Sequence, residues 1–256
     1  YLKNSYDDFF ITASGYQMTY SNQNLYTNRN YFYIRTDVEF SGNILNSFHK
    51  MTGRDTVDGD YQIFNTRYSQ YIKSDIDFRY YNIFNEKNKL VTRSYLGVGV
   101  PYGNASSLPF IKQYFSGGAN GIRAWQSRDL GPGTYRDSSN YPNQTAGLKI
   151  EMNLEYRFHL FWMVEGALFT DFGNIWAISG SDNREGAQFK FNKFYKQLAL
   201  GSGFGLRFDF SFFVFRLDAG VKMIDPAIDG RNKWVLHDRR WKSRDYQLHF
   251  GIGYPF

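Results

Sequence analysis

Polar and apolar residues alternate one by one in stretch after stretch of this chain, and many of the polar partners are charged. At residues 71 to 84, Ile72, Ile76, Phe78 and Tyr80 stand against Lys73, Asp75, Asp77 and Arg79. At 147 to 158, Leu148, Ile150, Met152, Leu154 and Tyr156 stand against Lys149, Glu151, Asn153, Glu155 and Arg157. A repeat of two is the period of a β-strand, whose successive side chains point to opposite faces. The pattern recurs at 9–20, 31–41, 91–100, 163–176, 201–210, 212–223 and 246–256, which makes nine strand segments.

The connections decide what such strands build. In order they are short (21–30), long (42–70), short (85–90), long (101–146), minimal (159–162), long (177–198), one or two residues near Ser211, then long (224–245). A soluble sandwich has no reason to keep this rhythm. A membrane barrel has tight turns at one rim and longer loops at the other, and its strands cross with about 9 to 11 residues each. A lysine or arginine facing lipid at midplane costs about 2–4 kcal/mol, so the charged faces are expected to line a lumen and the apolar faces to meet lipid. In 201–223 this puts Phe204, Phe208, Phe213, Phe215 and Leu217 outward and Arg207, Asp209, Arg216 and Asp218 inward. Aromatic residues make up 20% of the chain while the hydrophobic total is only 42%, and the mean hydropathy is −0.52. That balance suits rings worn outside a polar interior. No apolar run is long enough for a transmembrane helix. The expected fold class is therefore all-β, a transmembrane antiparallel β-barrel. The opening Tyr1-Leu2-Lys3-Asn4 has no signal-peptide pattern, so an export signal is expected to be removed or to lie upstream.

Several function classes fall away. Cysteine is absent, which removes disulfide scaffolds and thiolate metal sites. The net charge of +6 is scattered among acids rather than gathered in a patch, so nucleic acid is not an expected partner. His49, His159, His237 and His249 lack metalloprotease spacing and no nucleophile elbow occurs, so no enzyme, cofactor or metal is expected. Asp238-Arg239-Arg240-Trp241-Lys242 reads as a solvated loop near anionic headgroups.

Between the fourth and fifth segments lies Gln113 to Gly133, QYFSGGANGIRAWQSRDLGPG. It has too many glycines for a helix and too few apolar residues for a strand, and reads as a shaped loop. No helix follows the glycines and no Gly-Lys-Ser/Thr is present, which argues against nucleotide binding. Its tip, Ile122-Arg123-Ala124-Trp125, resembles the Val-Arg-Gly-Phe/Tyr loop motif of the BamA/TamA superfamily of outer-membrane assembly barrels, with alanine in place of the usual glycine. Asn153-Leu154-Glu155-Tyr156-Arg157-Phe158 is similar to the family's Asn-x-Glu-Tyr/Phe-Arg strand end. Phe169-Thr170-Asp171-Phe172-Gly173-Asn174-Ile175-Trp176 is similar to its Phe-x-Asp-x-Gly-Asn-x-Trp strand, and Tyr246 to Phe256 resembles its terminal strand.

The resemblance implies a sixteen-stranded barrel whose conserved loop precedes the fifth strand from the C-terminus. Five strands follow the loop here, so residues 1–256 would be the C-terminal nine strands, without the periplasmic POTRA-type domains that precede the barrel. Loop 101–146 would fold inward, with Arg123 held by Glu155 and Asp171 and packed by Phe169. By alternation the terminal strand turns Tyr246 and Phe250 outward, with Gln247, His249, Gly251 and Gly253 inward, and ends at Phe256. Its glycines and Pro255 weaken pairing, as a seam that opens requires. The implied activity is insertion of unfolded outer-membrane protein clients into the bilayer of a Gram-negative outer membrane, alongside accessory subunits. Related two-partner secretion transporters and plain porin or receptor barrels are the alternatives. Read without the resemblance, the inward charges simply coat a wet lumen, where each pair is worth less than a dry bridge.

Overall fold

The computed structural model describes residues 8–24, 26, 28–53, 56, 59–136, 144–228, 233–235 and 242–256. Asp238 to Trp241 therefore lie outside the described residues. The elements are β1 (Ala13–Ser21), β2 (Tyr31–Ser41), α1 (Asn43–Thr52), β3 (Gln62–Ile63), β4 (Thr66–Arg67), β5 (Tyr71–Asn85), β6 (Asn88–Pro101), β7 (Leu148–Phe161), β8 (Val164–Trp176), β9 (Ala199–Asp209), β10 (Val214–Ile224) and β11 (Tyr246–Ile252). The nine longer strands form one sheet in the order β1-β2-β5-β6-β7-β8-β9-β10-β11, antiparallel throughout. Each strand pairs with its sequence neighbours, which is the meander of a barrel wall, and β1 and β11 are its edges.

Burial in this sheet runs opposite to that of a soluble protein. Along β7, Glu151, Asn153, Glu155 and Arg157 are buried while Met152 and Leu154 are exposed. Leu168 of β8, Phe204 of β9, and Leu248, Phe250 and Ile252 of β11 are exposed in the same way. Apolar surface left in water forgoes about 25 cal/mol per Å², so an outward belt of this kind is stable only against lipid. Among the described residues no helix is long and apolar enough to cross a membrane.

The strand alternation translates directly into pairing, with β2 exactly at its expected bounds and most other boundaries moved by a few residues. Two regions differ more. Connection 42–70 contains α1 and the β3–β4 hairpin, built around His49, which stacks on Tyr61 and Tyr68 with ring centroids 5.1 and 5.5 Å apart. The last strand ends at Ile252 instead of Phe256. Gly253 takes φ +82 and turns the chain, so that Tyr254 is half-buried and Phe256 buried. The Tyr254 hydroxyl donates to Glu165 at 2.8 Å, and the Arg157 guanidinium donates to the Phe256 carbonyl at 3.3 Å. Strand alternation fails here because those inward groups offer the two rings and the carbonyl better partners than an edge does.

Candidate functional site

The segment between β6 and β7 lies on the inner face of the sheet, its tip against β7 to β11 and its base reaching β2 and β5, where Lys112 donates to Glu39 at 2.7 Å and Tyr114 to the Ser74 carbonyl at 3.4 Å. Its base is clamped by paired backbone bonds between Tyr114 and Ala146 (2.8 and 2.9 Å), and Ser116 bridges Leu130. Gly117 and Gly118 both take φ +90, a conformation that side chains with a Cβ avoid, and this reverses the chain. The tip then closes on itself, the Gly118 amide donating to the Trp125 carbonyl at 2.8 Å and the Trp125 amide to the Ile122 carbonyl at 3.1 Å. Ile122, Ala124, Trp125 and Leu130 bury together with Ala199. Ala124 does not share the positive φ of Gly117 and Gly118, so this turn accepts alanine where the motif has glycine.

Arg123 is the centre of the site, and it is fully buried. Its Nε and Nη2 donate to the two carboxylate oxygens of Asp171, each at 2.8 Å, and its backbone amide donates to the same carboxylate at 3.1 Å. Its Nη1 donates to Glu155. The planar fork thus serves two acids at once, which a lysine cannot do. The Phe169 ring lies under the guanidinium at 3.6 Å, a desolvated cation–π contact. Burial opposes the charge on Arg123, but Asp171 and Glu155 outweigh it and raise its pKa above the ordinary arginine value.

Strand register explains why these groups meet. Asn153 sits opposite Asp171, and Glu155 opposite Phe169, so two adjacent inward rungs of β7 and β8 present both acids and the ring to one point. Two glycines make room for the tip. A Cβ on Gly201 would lie 2.6 Å from the Ala124 Cβ, and one on Gly220 would lie 2.5 Å from the Arg123 carbonyl oxygen.

All of Ile122, Arg123, Ala124, Trp125, Glu155, Phe169 and Asp171 come together here. Of the terminal-strand residues, Tyr246 and Phe250 face outward and Gly251 inward on β11, while Gly253 and Phe256 lie beyond it. Phe256 reaches the cluster, its ring 5.7 Å from the Arg123 guanidinium. Sequence reasoning singled out fewer residues than the cluster uses. Asn153 donates to Asp171 at 2.9 Å and to the Gly121 carbonyl at 3.0 Å. Arg157 donates to Glu155 at 2.7 Å, Arg207 to Glu155 at 3.2 Å and Arg207 to Asp218 at 2.6 Å. His249 Nε2 lies 2.9 Å from the Arg123 carbonyl oxygen, joining the loop tip to the last strand. Asn153 and Arg157 were visible inside the strand-end motif, and Arg207, Asp218 and His249 on inward faces. Gly201 and Gly220 gave no signal, since their contribution is space.

The expectation of a wet lumen is corrected for this half of the sheet. Arg123, Glu155, Asp171, Arg207, Arg216 and Asp218 are all buried, because the loop fills the space that water would occupy. Asp209, also expected inward, lies at the strand end, half-buried, and accepts the Ser211 amide at 2.8 Å.

An antiparallel meander with lipid-facing rings, polar inner rungs and an inward loop defines an outer-membrane β-barrel wall. The Omp85 superfamily domain model matches residues 2–256, and the chain belongs to the Omp85 superfamily, the outer-membrane barrels of protein insertion and transport. Among solved structures it is similar to BamA from Haemophilus ducreyi lacking POTRA domains 1-3, with a TM-score of 0.51 at 14% identity, covering 94% of this chain and 54% of that one. The chain thus spans about half the length of that relative, and at this identity the likeness is one of fold. No curated protein matches.

Proposed function

We propose that this chain is the C-terminal nine strands of a sixteen-stranded BamA/TamA-type insertase, and that it helps unfolded outer-membrane proteins enter the bilayer without enzymatic chemistry or cofactor. The observation that carries this reading is the position of Arg123, fastened to acids on β7 and β8 while its own carbonyl meets His249 on β11. A loop fixed in this way couples the barrel wall to the strand at the seam. β11 has only seven residues, so few ladder bonds would hold it to the first strand of the full barrel, which favours addition of a client strand by β-augmentation. A plain porin needs no tie between an inward loop and its last strand.

The test is a disulfide joining β11 to the first strand of the full-length protein, with assembly of a reporter barrel in the outer membrane as readout. Assembly should stop in the locked form and return on reduction. Undiminished assembly in the locked form would overturn the seam. Loss of secretion of a passenger protein with barrel assembly intact would point instead to the two-partner transporters. The loop arm of the same test is Arg123→Ala, for which the barrel should still fold while loop 101–146 becomes protease-sensitive in intact outer membranes.

A further inference from the structure

Two of the short turns are unlike the other two. β7 ends on Leu160 and Phe161 and passes to β8 through Trp162 and Met163, and β9 passes to β10 through Phe210, Ser211, Phe212 and Phe213. Trp162 is 80% exposed and Phe212 85%. The turns adjoin, the Asp209 amide donating to the Met163 carbonyl at 2.9 Å. Trp162 and Ser211 sit in left-handed backbone, with φ 50 and 70, so the rings are presented by tight turns. The turn between β5 and β6 is instead Asn85-Glu86-Lys87-Asn88, and the connection from β1 to β2 carries a single exposed ring, Tyr26, between Asn24 and Asn28.

The outward stripe of β9 and β10 runs into its turn without a polar break. Phe208 faces Phe215 at a centroid distance of 6.2 Å, Phe210 stacks on Phe213 at 5.0 Å, and Phe212 meets Phe213 edge-on at 4.8 Å. Rings in a turn that ended in water would leave a contiguous apolar patch exposed. Rings that continue a lipid-facing stripe extend an interface already present, and an indole at its end suits the boundary between acyl chains and headgroups.

We infer that the β7–β8 and β9–β10 turns are immersed in the bilayer leaflet at the short-turn rim, so that this side of the wall sits deeper there than the side built from β1, β2, β5 and β6. The occupant of the aromatic patch is lipid. The inference needs only the membrane location and stands independently of the insertase reading.

The absence of cysteine from this chain makes the test direct. Single cysteines replace Phe212, Trp162 or, as the aqueous reference on the same rim, Lys87, in the full-length protein with any other cysteine removed. The protein is reconstituted in phosphatidylethanolamine/phosphatidylglycerol vesicles with the rim accessible, and the rate of reaction with a membrane-impermeant maleimide is measured. Phe212→Cys and Trp162→Cys should react at least about tenfold more slowly than Lys87→Cys, because the rings that remain in each turn, at about 1.5–3 kcal/mol apiece, still hold it in the leaflet, and all three equally once denatured. Rates within about twofold of the reference would overturn the inference. So would protection that appears in native membranes but not in vesicles holding no other protein, which would assign the patch to a protein partner. Ser211→Cys removes no ring and keeps the test available if either aromatic substitution prevents folding.

Discussion

The inner face of this sheet is finished in two different ways. Beside β1 and β2 it borders an open space of about 640 Å³ lined by residues including Gln17, Arg35, Asp37, Lys73 and Asp75, and the loop reaches only the far end of this face, where Lys112 donates to Glu39 at 2.7 Å. On β7 to β11 the same alternation of charges is covered by the loop and dry. Arg35 pairs with Asp37 at 2.8 Å with side chains 46% and 28% exposed, whereas Arg123 and Asp171 pair at the same distance with none. Two bridges of equal length therefore differ in worth. In the open half water screens the pair and competes for it, while in the covered half each charge depends on its partner, because nothing else can solvate it.

The largest effect expected from this contrast is that of Arg123→Ala, which leaves Glu155 and Asp171 without their shared partner and should cost about 3–5 kcal/mol. Arg35→Ala should cost no more than about 1 kcal/mol. Denaturant unfolding of the folded barrel in lipid or detergent measures both, and equal losses would erase the distinction between the halves.

Arg123→Lys keeps the charge but loses the two-pronged contact with Asp171, and should fall between these, at about 2 kcal/mol for the charged hydrogen bond forgone. Full recovery of wild-type stability by lysine would show that charge alone, without the fork, holds the loop.

Gly220→Ala adds no charge and removes none, but its Cβ would press on the Arg123 carbonyl oxygen at 2.5 Å. A loss of about 1–3 kcal/mol is expected, with increased protease cleavage of the loop. Gln17→Ala, on the uncovered face, should lie within about 0.5 kcal/mol of wild type.

The smallest perturbation probes access. Ser116, buried and donating to Glu151 at 2.6 Å, should label slowly as a cysteine with a small soluble maleimide. Gln17 as a cysteine should label quickly. Comparable rates would mean that the loop leaves its seat often enough for water to reach both halves.

The alternation of residues such as Ile72 and Lys73, or Leu154 and Glu155, was sufficient to read nine strands, their facing and the membrane setting. A period of two is a local property, and the penalty for a charge in lipid allows only one orientation of each strand. The loop was legible in its glycines, and Arg123 and the two acids through their resemblance to the family's motifs. What only the tertiary structure decided was that the cluster of Arg123, the two acids and Phe169 is dry and fully buried, that Gly201 and Gly220 leave room for the tip, and that the chain after Ile252 turns inward. Those outcomes depend on which rungs of β7, β8, β9 and β10 stand side by side and on what fills the space between them. Register across strands and the exclusion of water are set by contacts distant in sequence, so they become visible only once the sheet is assembled.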